Sequence, residues 1–180
     1  LIYSFSEKLA AELDLERVAK LTLQEARQMI VATDGVVMLL DEASGALTTV
    51  AGFGGEMPTL EGYRRGIGIV GAVAQSGVGE VVNDTSEDAR RVRAQTTIAA
   101  LICAPMKVGE KVIGVIALGS TEPIAYTAAD LKLVNTLALQ AAEVAADLVG
   151  DLVAQHHRHE RRGEGVPDVA IDEDDAVLGR

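Results

Sequence analysis

Two apolar runs joined by Val-Gly-Glu-Lys dominate the hydropathy pattern, residues 98–106 and 111–119. Neither alternates apolar with polar positions, as a strand with one wet face would. They predict two neighbouring antiparallel strands covered on both faces and joined by a tight turn at Gly109-Glu110. A sheet covered twice leaves room for a small-molecule pocket under one of its covers.

The rest of the chain supplies the covers. Residues 1–13 read as a short helix with Ile2, Phe5 and Leu9 on one side. Asp14 reads as the N-cap of a second helix over 15–31, where Leu15, Val18, Ala19, Thr22, Ala26, Met29 and Ile30 recur at helical spacing. Strands are predicted over 36–40 and 46–51 around a Ser44-Gly45 turn, ended by Phe53-Gly54-Gly55. A polar loop over 56–63 leads into Gly66-Ile-Gly-Ile-Val-Gly71. Its G-x-G-x-x-G spacing is formally that of a dinucleotide loop, but that fingerprint needs a preceding strand inside a parallel βαβ unit. Here a polar loop precedes it and hairpins surround it, so the stretch reads as a tight turn feeding a short helix over 70–75 with Gly77 as C-cap. A strand over 78–82 and a charged segment over 83–95 follow.

Thr127 and Asp130 form a capping-box start to the longest helix, predicted over 128–157. Val134, Leu137, Ala141, Val144 and Leu148 keep heptad-like spacing along it. Leu131, Ala138, Ala145, Val149 and Leu152 widen the stripe beyond what one sheet face requires, which predicts packing on both the sheet and a partner helix. The composition then changes, basic at 158–162, glycine-rich, and acidic at 172–175. Residues 1–155 are therefore expected to form the domain and 156–180 a charged linker or disordered tail.

Composition narrows the function. The 180 residues are 48% hydrophobic but only 3% aromatic, with no Trp, so the core must be built from Val, Ile, Leu and Ala. A net charge of −11 argues against a nucleic-acid partner and against an anionic membrane surface. One cysteine excludes an internal disulfide framework and fits a reducing cytoplasm. No apolar run approaches the roughly 20 residues that span a bilayer. The chain begins with Leu, and a segment of a longer protein is expected.

From about residue 9 to 152 the ordered set of motifs resembles the GAF domain family. The carrying features are Gly66-Ile-Gly-Ile-Val-Gly71, Ala74-Gln-Ser-Gly77, Val82-Asn-Asp84, the run 98–106, Val112-Ile-Gly-Val-Ile-Ala-Leu118, and Tyr126-Thr-Ala-Ala-Asp130-Leu131. The resemblance implies an α+β, PAS-related fold with a central antiparallel sheet of five to six strands. Terminal helices would cover one face, and the short helix with the charged loop the other. It also implies a regulatory small-molecule sensor in a larger signal-transduction or transcription-control protein. That sensor would dimerise through its terminal helices and act on an output domain of the same polypeptide.

The chemistries of that family can be tested on these residues. Cyclic-nucleotide-binding members carry a dispersed Asn-Lys, Phe, Asp-Glu set after the last strand. The matching positions here are about Ser120, Thr121, Tyr126, Asp130 and Leu131, where only the Asp is retained and Tyr stands for Phe. Asp130 also has a structural role at the helix start. Bilin-binding relatives attach pigment through a cysteine, but Cys103 lies inside a predicted buried strand and reads as a small apolar core residue. Haem-binding relatives need an axial ligand, usually His, and His156, His157 and His159 all fall beyond the predicted core. His156 and His159 are one helical turn apart, but the cluster reads as a charged helix end and not as a metal site. Free methionine sulfoxide reductases of the family resolve one cysteine with another, and Cys103 has no such partner. No cofactor, no metal and no catalysis are expected.

On the fold the resemblance implies, a pocket would be walled by Phe53, Ile67, Ile69, Val73, Leu101, Cys103 and Ala117. Asp84 and Arg91 would fix a polar group of an unidentified small-molecule ligand. A homodimer interface would use Ile2, Phe5, Leu9, Val134, Leu137, Ala141, Val144 and Leu148. A ligand-free dimerisation module of the same type is the alternative.

Overall fold

The structure, a computed structural model, describes residues 2–59, 61–92 and 97–163, the side chains of 2–13, 59, 149 and 151–163 excepted. Helix α1 spans Ile2–Met29, and strands β1 (Asp34–Leu40) and β2 (Leu47–Phe53) follow as a hairpin. A 3-10 turn at Met57–Thr59 precedes helix α2 (Gly68–Ser76) and strand β3 (Glu80–Val82). Strands β4 (Ala100–Val108) and β5 (Lys111–Ser120) lead to helix α3 (Ala128–Gly163). The strands pair antiparallel throughout, in the order β2-β1-β5-β4-β3. This is the α+β architecture expected, with five strands. The apolar hairpin β4–β5 lies within its sheet and turns at Gly109-Glu110, between the paired Val108 and Lys111.

Both faces of that hairpin are covered. Ile102, Ala104, Met106, Ile116 and Leu118 pack under α1 and α3, against Leu23, Ala26, Val134 and Ala138. Leu101, Cys103, Val115 and Ala117 face the other way, toward α2 and Met57. Small residues on α3 (Ala138, Ala141, Ala142 and Ala145, all buried) let the helix lie close to the sheet and α1. Thr127 and Asp130 form the expected capping box: the Thr127 amide donates to Asp130 Oδ2 (2.7 Å) and the Asp130 amide to Thr127 Oγ1 (3.2 Å). The helix they start runs on past residue 155 to Gly163, and residues 164–180 lie outside the described residues.

Three expectations are corrected. Helix α1 is continuous through Asp14, which is exposed within it and caps nothing. An aspartate inside a helix costs only tenths of a kcal/mol, whereas a break would leave up to four amides and four carbonyls without partners. Val134 and Ala141, assigned to a dimer interface, are buried inside the single chain. Of the remaining interface positions, Val144 is exposed, Leu137 and Leu148 are half-buried, and the side chains of Ile2, Phe5 and Leu9 lie outside the described residues. No helix among the described residues is long and apolar enough to cross a membrane.

Phe53 is the third correction. The β1–β2 register pairs Val37 with Ala51 but Met38 with Thr49, so Val50 is an extra residue. One inserted residue reverses the parity of everything beyond it. Leu47 therefore faces α2, while Ala51 and Phe53 face the terminal helices. The Phe53 ring sits under the guanidinium of Arg27, 4.4 Å from its centroid, an exposed cation–π contact worth about 0.5–1 kcal/mol.

The three motif glycines have structural explanations. Gly66 (φ +80) and Gly68 (φ +71) adopt the left-handed conformation of the turn into α2. A Cβ on Gly71 would collide with the carbonyl oxygen of Arg64, because α2 lies directly against that turn. Gly71→Ala is expected to lower unfolding free energy by about 3 kcal/mol through overpacking against fixed backbone. Gly55→Ala, with nothing within 4 Å of its Cβ, should stay within about 0.5 kcal/mol. Urea unfolding of the two variants checks the contrast.

Candidate functional site

The α2 side of the sheet is only partly filled. Val73, Cys103 and Ala117 are fully buried in the contact between α2 and the hairpin, and fill that part of the layer. Beside them lies a cavity of about 320 Å³. Leu101 and Ile98 line it from the sheet side, Ile67, Ile69 and Val70 from the start of α2, and Met57 from the 3-10 turn. Glu61, Gly62 and Tyr63 form one rim, and Thr85, Arg91 and Val92 another.

Each wall is held by specific bonds. Asp34, 2% exposed at the start of β1, accepts hydrogen bonds from the amides of Glu56 (2.7 Å) and Met57 (3.2 Å) and from Thr33 Oγ1 (2.9 Å). This fixes the 3-10 turn on the sheet and sets Met57 in place. Tyr63 donates to the Met57 carbonyl (3.3 Å) and its own carbonyl accepts from the Leu47 amide (2.9 Å). On the opposite side the Thr85 hydroxyl donates to the Ile98 carbonyl, and the Thr85 amide to that of Ala99 (2.9 Å). Arg90 clamps the same loop to the edge of the sheet, bridging Glu80 (2.7 Å) and Asp88 (2.7 Å). Its guanidinium holds the Asp88 carboxyl below the ordinary carboxylate range, chiefly by hydrogen bonding.

Of the residues expected to wall a pocket, Ile67, Ile69, Leu101 and Arg91 line the cavity. Val73, Cys103 and Ala117 belong to its face but sit in filled core and do not reach the open space. Phe53 is on the far side of the sheet. Asp84 is exposed outside the cavity, where Ser86 donates to it from both hydroxyl and amide and Arg91 adds a longer-range attraction, together lowering its pKa. The neighbouring Thr85 takes the wall position instead. Met57 and Tyr63 were hidden in what read as an irregular polar loop. The signals available for them were an aspartate opening an apolar strand and isolated apolar residues inside a polar segment.

Burial pushes the Cys103 thiol well up, so it stays protonated at neutral pH. The histidines at 156, 157 and 159 have side chains outside the described residues. Among the described residues no group of three or more His, Cys, Asp and Glu side chains gathers as metal ligands.

An antiparallel five-stranded sheet, with terminal helices on one face and a short helix and loops enclosing a cavity on the other, defines a class of α+β pocket domains. Within that class this chain belongs to the GAF domain family, whose model matches residues 12–145. No curated protein matches the chain. Solved structures share the fold at low sequence identity. The GAF domain/HD domain protein from Geobacter sulfurreducens superposes with a TM-score of 0.65 at 14% identity, over 78% of this chain and 97% of that one. The GAF domain of the Acinetobacter phosphoenolpyruvate-protein phosphotransferase gives 0.61 at 19% identity, over 89% and 98%. The type II free methionine-R-sulfoxide reductase from Thermoplasma acidophilum gives 0.63 at 15% identity, over 79% and 96%.

Tyr63 and Tyr126 are each pushed up to about 12 from 10.0, mainly by burial. A raised phenol pKa means that the fold favours the protonated form. That contribution is full below pH 10 and is lost as pH rises toward 12. An ultraviolet absorbance titration is expected to show both phenols ionising late, with unfolding free energy falling across the same interval.

Proposed function

We propose that this domain is a regulatory small-molecule sensor within a longer signal-transduction or transcription-control protein. The cavity is the sensing site, and α3 carries the change to an output domain of the same polypeptide. The observation that carries this reading is the bonding of Asn83. Its side-chain amide donates to the Tyr126 carbonyl (3.1 Å), and its carbonyl oxygen accepts from the Tyr126 amide (2.8 Å). Asn83 opens the loop whose Thr85, Arg91 and Val92 wall the cavity, and Tyr126 is followed at once by the capping box of α3. Tyr126 in turn donates to the Val31 carbonyl (2.8 Å) just after α1. A ligand that moves the loop therefore acts through one bidentate bond on the joint of both terminal helices. It shifts the output to the extent that it binds two arrangements of that joint unequally.

The domain works without catalysis. Its one cysteine is buried and protonated, which supports a packing role over thiol chemistry. The net charge of −11 supports a cytoplasmic domain that contacts neither nucleic acid nor membrane. Pairing with a second copy is supported by α3. Leu133, Leu137, Val144 and Leu148 fall within one narrow stripe at helical spacing, beside the stripe buried in the chain's own core. The same stripe favours a second reading, a dimerisation module that needs no ligand.

A thermal-shift screen of nucleotides, amino acids and organic acids separates the two. The sensor is expected to show at least one compound that raises the melting temperature with concentration, and Ile98→Trp, which fills the cavity, should abolish the rise. The absence of any such compound would favour the dimerisation module. Light scattering of the intact chain is expected to give a dimer, and Leu133→Glu with Val144→Glu should give a folded monomer. A folded monomer at high concentration without these substitutions would remove pairing from both readings.

A further inference from the structure

We propose that the cavity takes a compound with an apolar body and a carboxylate, held at Arg91 and the first turn of α2. The inference rests on reading the cavity as a ligand pocket and adds the chemical class of what enters it. Glu61 and Arg91 are the charged side chains among the described lining residues. Glu61 is exposed, so water screens it, whereas Arg91 is half-buried and its charge acts through a less polar medium. Arg91 also attracts Asp84, but that carboxylate is exposed outside the cavity, so within the cavity the Arg91 end favours an anion.

The hydrogen-bond inventory points the same way. Both neutral hydroxyls on the wall have their protons committed, Tyr63 to the Met57 carbonyl and Thr85 to the Ile98 carbonyl, so they offer lone pairs and not donors. The Arg91 guanidinium carries five N–H groups, more than its contacts within the protein need take up, and the start of α2, whose Gly68, Ile69 and Val70 line the cavity, adds backbone N–H groups. Ile67, in the N-cap position, supplies no side-chain cap. The amides of the first turn have no acceptor within the helix, and the helix start carries partial positive charge. A planar carboxylate matches a guanidinium fork, and backbone amides at a helix start add further donors.

The remaining walls, Met57, Val92, Ile98 and Leu101 among them, are apolar and exclude a ligand that is polar throughout. At about 320 Å³ the space is roughly twice that of an engineered ~150 Å³ apolar cavity that holds benzene. A fused two-ring body, or a branched chain of similar bulk, fits.

The test uses matched probes on the intact chain by isothermal titration calorimetry. β-Naphthoate is the acid and β-naphthamide its neutral isostere. The acid is expected to bind at least about 10-fold more tightly, the scale of one charge-assisted pair. Arg91→Gln should erase that preference and leave the amide's affinity unchanged, and added salt should weaken the acid alone. Should Arg91→Gln fail to fold, Arg91→Lys replaces it and is expected to keep only part of the preference, because the fork is lost. β-Naphthylalanine distinguishes two sources of the carboxylate. Tighter binding than the simple acid assigns an amino acid, and weaker binding a plain organic acid. Equal binding of acid and amide overturns the anion inference and leaves the pocket reading standing, as does a preference that survives Arg91→Gln. Binding of none of the three overturns both.

Discussion

Double coverage of the β4–β5 hairpin is the constraint on which the rest of the molecule depends. From Ala100 to Met106 and from Gly114 to Ser120 every residue is buried, so neither face tolerates water. One cover is generous: two long helices lay leucine, alanine and valine side chains over Ile102, Ile116 and Leu118. The other is short. A helix of nine residues rises about 13 Å at ~1.5 Å per residue. A strand of ten residues extends about 33 Å at ~3.3 Å per residue. The helix covers Cys103, Val115 and Ala117, and the loops on either side of it cover the remainder as best they can. The cavity is what that mismatch leaves, and its apolar floor and mixed rims follow from a wall that is sheet on one side and loop on the other.

Those loops would be poor walls without their anchors. A segment with few buried apolar contacts opens at low free-energy cost, and here each is tied down by polar bonds to the sheet. Asp34 holds the Met57 turn, Thr85 holds the strand entry at Ile98, and Arg90 joins Asp88 to Glu80 at the sheet edge. Asn83 reaches across to Tyr126, where the terminal helices meet the sheet. The bonds that anchor these loops lie mostly on the cavity side of the molecule, whereas the helix side is held chiefly by apolar packing, with the Arg27–Phe53 contact and the Tyr126–Val31 hydrogen bond as polar exceptions. The loop and the joint of the terminal helices are thereby connected by hydrogen bonds, through Asn83 and Tyr126.

The apolar runs, the hairpin turn, the capping box at Thr127 and Asp130, and the glycines around α2 were all legible in the sequence. Each depends on a local rule: periodicity, a turn dipeptide, or a hydroxyl three residues before an acid. The family was legible for the same reason, since its motifs are local and their order is read along the chain. The division of α3 between core and surface was not. Heptad spacing placed Val134, Ala141 and Val144 together, but the sheet and α1 claim Val134 and Ala141 and leave Val144 exposed.

What tertiary structure alone decided is what depends on register and on distance between remote segments. A single extra residue at Val50 sent Phe53 to the helix side, and no pattern of polar and apolar letters distinguishes a bulged strand from a regular one. Cys103, Val73 and Ala117 faced the expected side, yet whether they bordered open space or filled core depended on where α2 came to rest. Thr85, and not the expected Asp84, lines the cavity because neighbouring side chains in a loop point in different directions. Local pattern was enough to establish that a doubly covered sheet would form and which segments would cover it. The cavity, its walls and its link to α3 were decided by packing between segments far apart in the chain, for which local pattern carries no record.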